Sequence, residues 1–200
     1  MRQSLPLLVI FPALCCFFCA PIARAQAPAP TRPRVAVAPF VNQAGHSLDA
    51  WWAGGGQTAV LTSFSNQLNQ SNKVVVIDNK DLQALVVTAK VNLNEPITRK
   101  IAQALGQADH SLKYLVVGAI TDYTLGAPSD GNVSTLTAMN ATMFNLSTGE
   151  VSWTDEANHR GLASVTGPAA GSIPFYDKFF DKLVKPVIAE LIKDVEMMDL

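Results

Sequence analysis

Arg34-Val-Ala-Val-Ala-Pro-Phe40 is the stretch that decides the fold. Val35, Val37 and Phe40 mark a short apolar strand, and Pro39, which has no N–H to give to a ladder, ends it. Just before it, residues 26–33 (Gln-Ala-Pro-Ala-Pro-Thr-Arg-Pro) predict an extended proline-rich leader. Just after it, residues 41–56 are rich in Asn, Gly and Asp and read as a loop, with Trp51-Trp52 ahead of Gly54-Gly55-Gly56.

A helix follows, with Val60, Leu61, Phe64 and Leu68 on one face. Val74-Val-Val-Ile77, bounded by polar residues, reads as a buried strand within Lys73 to Ile77. Asp78 is placed to cap the next helix, whose inward face carries Leu82, Leu85 and Val86. Glu95 to Leu105 reads as a further helix, with Pro96 in its first turn, Gly106 as its stop, and Ile97, Ile101 and Leu105 facing the core. Lys113 to Tyr123 is the third strand, and Gly126 to Asn132 reads as a loop because of Pro128 and Gly131. Val133 to Leu146 and Glu150 to Arg160 predict a hairpin around Asn145-Leu-Ser-Thr-Gly149. A last helix starts near Pro174 and buries Phe175, Phe179, Leu183, Val187, Leu191 and Val195, with Pro186 bending it. The order β-α-β-α-α-β-β-β-α, with the last three strands antiparallel, predicts an α/β fold: one domain, without repeats, built on a mixed sheet with packed helices.

Residues 1–25 carry a different signal. Arg2 supplies a positive start, Leu5 to Ala20 is almost wholly apolar, and Ala23-Arg24-Ala25 gives the small-x-small pattern of a signal-peptidase site. The apolar run holds two prolines and is short for a span of ~20 residues. The expected organisation is a signal peptide at 1–25, the leader at 26–33 and one domain at 34–200, placed in the periplasm. All three cysteines, Cys15, Cys16 and Cys19, fall in that signal, so disulfides, zinc-thiolate sites and cysteine nucleophiles are not expected beyond it. The residues before them are not those of a lipid-attachment motif. Of 15 basic and 16 acidic residues, Arg2 and Arg24 lie in the signal at 1–25 and no acid does, so the remainder has three more acids than bases. That balance argues against nucleic acid and against a polybasic membrane anchor. No apolar stretch after the leader is long enough to span a bilayer as a helix. The roughly 175 residues that remain suffice for a core.

No catalytic residue, metal ligand or cofactor is expected. His46, His110 and His159 are scattered, without metal-binding spacing. Gly54-Gly55-Gly56 precedes a helix, as an anion loop would, but Gln57 stands where a phosphate loop needs Lys. Asp122, Asp130, Asp155 and Glu156 could pair as acid and base only if the fold joined them. No nucleophile-elbow serine is present. Asn132, Asn140 and Asn145 each start an N-x-Ser/Thr match, of the kind that strands rich in Ser, Thr and Asn produce by chance. Trp51 and Trp52 are the candidate partner-binding residues, because paired indoles in a glycine-flanked loop suit a binding hot spot. The competing expectation is that they fold back as a lid on the core.

Taken in order, the motifs resemble the CsgG-like family of bacterial envelope proteins. The pieces are Arg34 to Phe40 with Asn42-Gln-Ala-Gly45, then Val74-Val-Val-Ile77 and Asp81-Leu-Gln-Ala-Leu85. Next come Ala102 to Gly106, leading into Tyr114-Leu-Val-Val-Gly118-Ala-Ile-Thr-Asp-Tyr123, and Phe144-Asn-Leu-Ser-Thr-Gly-Glu150-Val. The resemblance implies a domain like the CsgG core and the N-terminal domain of TolB. It implies a non-enzymatic envelope protein acting in assembly or export of surface structures through an envelope protein partner or self-association, with peripheral outer-membrane association. The family holds two further roles: an LpoB-like activator of a peptidoglycan synthase, and a subunit of a curli-type secretion channel. A channel wall needs strands of ~9–11 residues with apolar outward positions. The Tyr123–Thr135 connection is short and polar and Gly161–Ser172 is glycine-rich, so neither is expected to cross a bilayer.

Overall fold

The computed structural model describes residues 31–129, 132–164, 173–198 and 200, with side chains described except at 47, 125–129, 132–133, 161–164 and 173–179. The expected signal peptide and most of the leader lie outside these residues. β1 (Arg34–Val37) sits between β3 (Val75–Val76) and β4 (Leu112–Ser129), parallel to both. A strand hydrogen-bonded on both sides and covered on both faces needs apolar residues at every position. Val35 and Val37 accordingly face one core, and Ala36 and Ala38 the other. β4, β5 (Asn132–Asn145) and β6 (Val151–Ser164) form an antiparallel meander, giving the order β3-β1-β4-β5-β6. β2 (Val41–Asn42) adds parallel to β4 beyond the end of β1.

Helices cover both faces. α2 (Gln57–Gln70) brings Val60, Phe64 and Leu68, and α5 (Ile173–Met197) brings Leu183, Val187, Leu191 and Val195, all buried against Val116, Met139 and Met143 of the sheet. α3 (Asn79–Ala89) and α4 (Arg99–Ala108) cover the other face with Leu82, Ala102 and Leu105 against Leu112 and Leu115. Residues Arg32–Leu200 form one compact unit. The α/β mixed-sheet fold expected from the sequence is the fold observed.

Several local expectations are corrected. Residues 41–56 are not an open loop: after β2 come a 3-10 turn (His46–Leu48), the single turn α1 (Asp49–Trp51) and a wide π-helical stretch (Trp52–Gly56) that runs into α2. Gly55 makes this possible with φ 123°, a conformation side chains disfavour. Gly126 to Ser129 and Asn132 are strand rather than loop, because β4 and β5 remain paired to Ser129↔Asn132. β6 likewise runs past Arg160 to Ser164. β3 lies at the sheet edge, with Val75 and Val76 half-buried and Val74 and Ile77 buried. α4 starts at Arg99, where Thr98 accepts a hydrogen bond from the Ile101 N–H at 3.3 Å. Gly106 lies inside α4, where a Cβ would collide with the Leu146 carbonyl. Asp78 occupies the N-cap of α3 without a side-chain cap bond, and Pro186 is contained within α5.

Candidate functional site

The segment that carries the two tryptophans is built from the end of β1. Asn42 Nδ2 donates to the Gly45 carbonyl (3.2 Å) and to Asp49 Oδ1 (3.0 Å), and its Oδ1 accepts from the Ala44 N–H (3.0 Å). Asp49 also meets His46 Nδ1 at 2.8 Å, and Gln57 Nε2 donates to the Phe40 carbonyl at 2.9 Å. These contacts pin both ends of residues 42–57, so the intervening helical turn is fixed.

Its two indoles go to different places. Trp51 is 2% exposed and packs in the core, 6.1 Å from the Phe180 ring centroid. Trp52 is half-buried, edge-on to Trp51 at 6.0 Å, and keeps part of its surface in solvent. Gly56 lies under Trp51: a Cβ there would stand 2.5 Å from the indole, so only glycine admits this packing.

Beside this segment, α2 and α5 enclose an open groove of about 1110 Å³. Thr58, Thr62, Asn66 and Gln70 line the α2 side, spaced by one turn each and spanning about 18 Å. Phe180, Asp181, Lys185 and Pro186 line the α5 side. Its two charges cancel, since Lys185 Nζ lies 2.7 Å from Asp181 Oδ1, and the ammonium is also 5.9 Å from the Phe180 ring centroid. The groove therefore offers hydroxyls and carboxamides over an apolar floor, with no net charge. Acids, bases and ligand spacings do not mark this stripe in the sequence; its one signal there is the four-residue spacing of polar residues opposite Val60, Phe64 and Leu68.

The other candidates stay apart. His46 and His110 are exposed and His159 is half-buried on β6. Among the described residues no three His, Cys, Asp or Glu side chains gather as a metal site. Of the four acids singled out, Asp122 accepts a hydrogen bond from Thr124 (2.6 Å), Glu156 is exposed, and Asp130 lies outside the described residues. Asp155 meets a carboxylate the sequence did not suggest, Asp194 of α5. That hydrogen bond and the adjoining negative charge, with Glu190 near and only Lys193 opposing, raise the Asp194 pKa above the usual aspartate value. Asp109 is the opposite case: Ser111 donates to its carboxylate at 2.6 Å and Arg34 lies 3.1 Å away, and the pKa is lowered. Two of the three glycosylation matches hold the backbone. Asn140 Oδ1 accepts from the Ala119 N–H (3.1 Å), and Asn145 Oδ1 accepts from the Ser147 N–H (2.9 Å) in the β5–β6 turn. No catalytic constellation is assembled among the described residues.

No family model matches the chain, and no curated protein matches it by sequence. Solved structures do. Hypothetical protein CT253 from Chlamydia trachomatis is 15% identical, covering 83% of this chain and 96% of that one, with a TM-score of 0.53. Protein XCC0632 from Xanthomonas campestris is 12% identical, covering 85% and 90%, with a TM-score of 0.50. These two share the fold. The C-terminal domain of LpoB from Salmonella enterica is a looser likeness, 17% identical over 70% of this chain and 88% of that one at a TM-score of 0.42, which fixes neither role nor partner.

Proposed function

We propose that the chain is an exported, non-catalytic protein of the bacterial envelope that acts by protein–protein contact, in the assembly or export of surface structures. The observation that carries this reading is the α2–α5 groove: a long, hydrogen-bonding surface without net charge, beside the segment that carries the part-exposed Trp52. Hydroxyls and carboxamides along a groove of this length suit contact with another protein chain. The secretory pattern of residues 1–25 supports the location, and the resemblance of the ordered motifs supports the role. Activation of a peptidoglycan synthase is one form the contact takes in the family it resembles.

A second reading, a subunit of a curli-type secretion complex in the outer membrane, gains from the lengths of β4, β5 and β6, which run to 18, 14 and 14 residues. Against it, Ser152, Thr154, Glu156, Asn158 and Arg160 form an exposed polar row on β6 where a wall facing lipid needs apolar residues. No helix among the described residues is long and apolar enough to cross a membrane.

The test is made in the native cell with a photo-crosslinking residue at Thr62. A processed chain released by osmotic shock, giving one discrete protein adduct that weakens in Trp52→Ala, is the expected result. Retention in the cytosol, or full labelling in Trp52→Ala with the groove blocked by Asn66→Arg, overturns the proposal. Extraction only by detergent favours the secretion-complex reading.

A further inference from the structure

β6 is an unusual edge. It is the last strand of the sheet, bonded to β5 on one side and, among the described residues, to nothing on the other. Edge strands are ordinarily kept short, or carry proline or a bulge, because an open ladder invites pairing. β6 runs 14 residues without proline, against the ~5–6 typical of strands, and its one irregularity lies at its start, opposite Met143/Phe144. α5 covers the face of Trp153 and Ala157, leaving the row Ser152, Thr154, Glu156, Asn158 and Arg160 exposed on the other.

The charges in that row are the informative part. Glu156 and Arg160 are four residues apart, of opposite sign, on the same face and equidistant from Asn158. Neither has an ion pair among the described residues; β5 sets Asn140 opposite Glu156 and Leu136 opposite Arg160. A lone charge on an edge deters pairing, but a symmetric pair of opposite charges deters every register except one. When two copies of β6 run antiparallel about a two-fold axis at Asn158, Glu156 of each copy faces Arg160 of the other, on the face clear of α5. Sliding by two residues sets each charge against a neutral residue. Sliding by four sets Glu156 against Glu156 or Arg160 against Arg160, which repels.

We propose that β6 is a self-association surface whose occupant is a second copy of this chain, paired antiparallel over residues 152–164 with Asn158 on the two-fold axis. The ladder supplies on the order of ten inter-strand hydrogen bonds, and the two Glu156–Arg160 pairs select the register. The interface is isologous, so it closes at two copies and joins two five-stranded paths into one continuous sheet. It does not rest on the groove reading, since it uses the opposite edge of α5's layer and needs no other protein.

The experiment is the mass of the exported chain by light scattering across a concentration series, with Glu156→Arg, Arg160→Glu and the double exchange. Both side chains are exposed, so unchanged circular dichroism and melting serve as the control for folding. The expected result is a wild-type dimer that weakens in high salt. Each single reversal sets like charges opposite twice and raises the dissociation constant by about tenfold or more, and the double exchange returns it to the wild-type value. A monomer throughout the series, a ring larger than two, single reversals that leave the dimer intact, or a folded double exchange that stays monomeric each overturns the proposal.

Discussion

At the scale of single residues, burial and charge decide what the packing favours and what it resists. Thr137 is fully buried, facing α5, and its hydroxyl has no hydrogen-bond partner among the described residues. A hydroxyl dehydrated without compensation costs ~1–3 kcal/mol, and valine keeps its shape without that cost. Thr137→Val is expected to raise the unfolding free energy by about 1 kcal/mol in urea titrations; a loss of stability would show that the hydroxyl is bonded. Asp194 makes a prediction with pH. Its pKa is raised in the folded chain, mainly by the hydrogen bond with Asp155, so folding favours its protonated form. Stability from this group is therefore present in acid and lost as pH rises from the ordinary aspartate value of ~3.9 through the raised one. Asp194→Asn should raise the melting temperature at pH 7 and give no gain near pH 3, and an equal shift at both would exclude the like-charge account. Asp109 runs the other way: with its pKa lowered by Ser111 and Arg34, it stabilises above the ordinary value and loses this as pH falls. The sequence could not separate Trp51 from Trp52, because adjacent residues share a composition and differ only in which side of one helical turn meets Phe180.

At the scale of elements, residues 49–70 show where local signals give way to packing. Three successive glycines mark a break in any reading by propensity, since each costs ~1 kcal/mol in a helix. Here they are the condition for the helix: Gly55 absorbs the φ of 123° in the wide turn, and Gly56 leaves room for Trp51. Gly56→Ala pushes a methyl into the indole, and overpacking of this kind costs ~1–3 kcal/mol. The expected outcome is a lower melting temperature with a changed tryptophan emission spectrum, whereas Gly54→Ala, at an exposed position of the same stretch, should change the spectrum little. The face of α2 was legible because Val60, Phe64 and Leu68 repeat at helical spacing, and β1 because an uninterrupted apolar run has few other uses. The ends of β4 and β5 were not. Gly126 and Pro128 are turn residues by every local rule, yet cross-strand pairing extends to Ser129↔Asn132, with a register shift between Leu125 and Pro128 accommodating them. Local chemistry sets where a chain can turn; the neighbouring strand decides whether it does. The groove escaped notice for a related reason, since Thr58, Thr62, Asn66 and Gln70 become a surface only once α5 lies beside them.

At the scale of the whole molecule, the sheet couples two cores that share no helix. One, under α2 and α5, holds Trp51, with Trp52 and Trp153 packed against it; the other, under α3 and α4, holds no tryptophan. β1 belongs to both, presenting Val35 and Val37 to one and Ala36 and Ala38 to the other, and β4 does the same with Val116 and Leu115. Losing either core would expose one face of the two strands at the centre of the sheet, so neither layer has a stable state without the other. Unfolding is therefore expected to be a single cooperative transition. The placement of the tryptophans makes this testable without a label: fluorescence reports the α2–α5 core alone, while far-ultraviolet circular dichroism also counts α3 and α4. Coincident midpoints and slopes in urea are the expected result. A dichroism change preceding the fluorescence change would mean that α3 and α4 detach first and that β1 transmits no coupling between the faces. The same coupling bears on the groove and on β6: α5 lines the one and packs on the other, and a ligand or second copy bound there stabilises the fold as one body, raising both midpoints together.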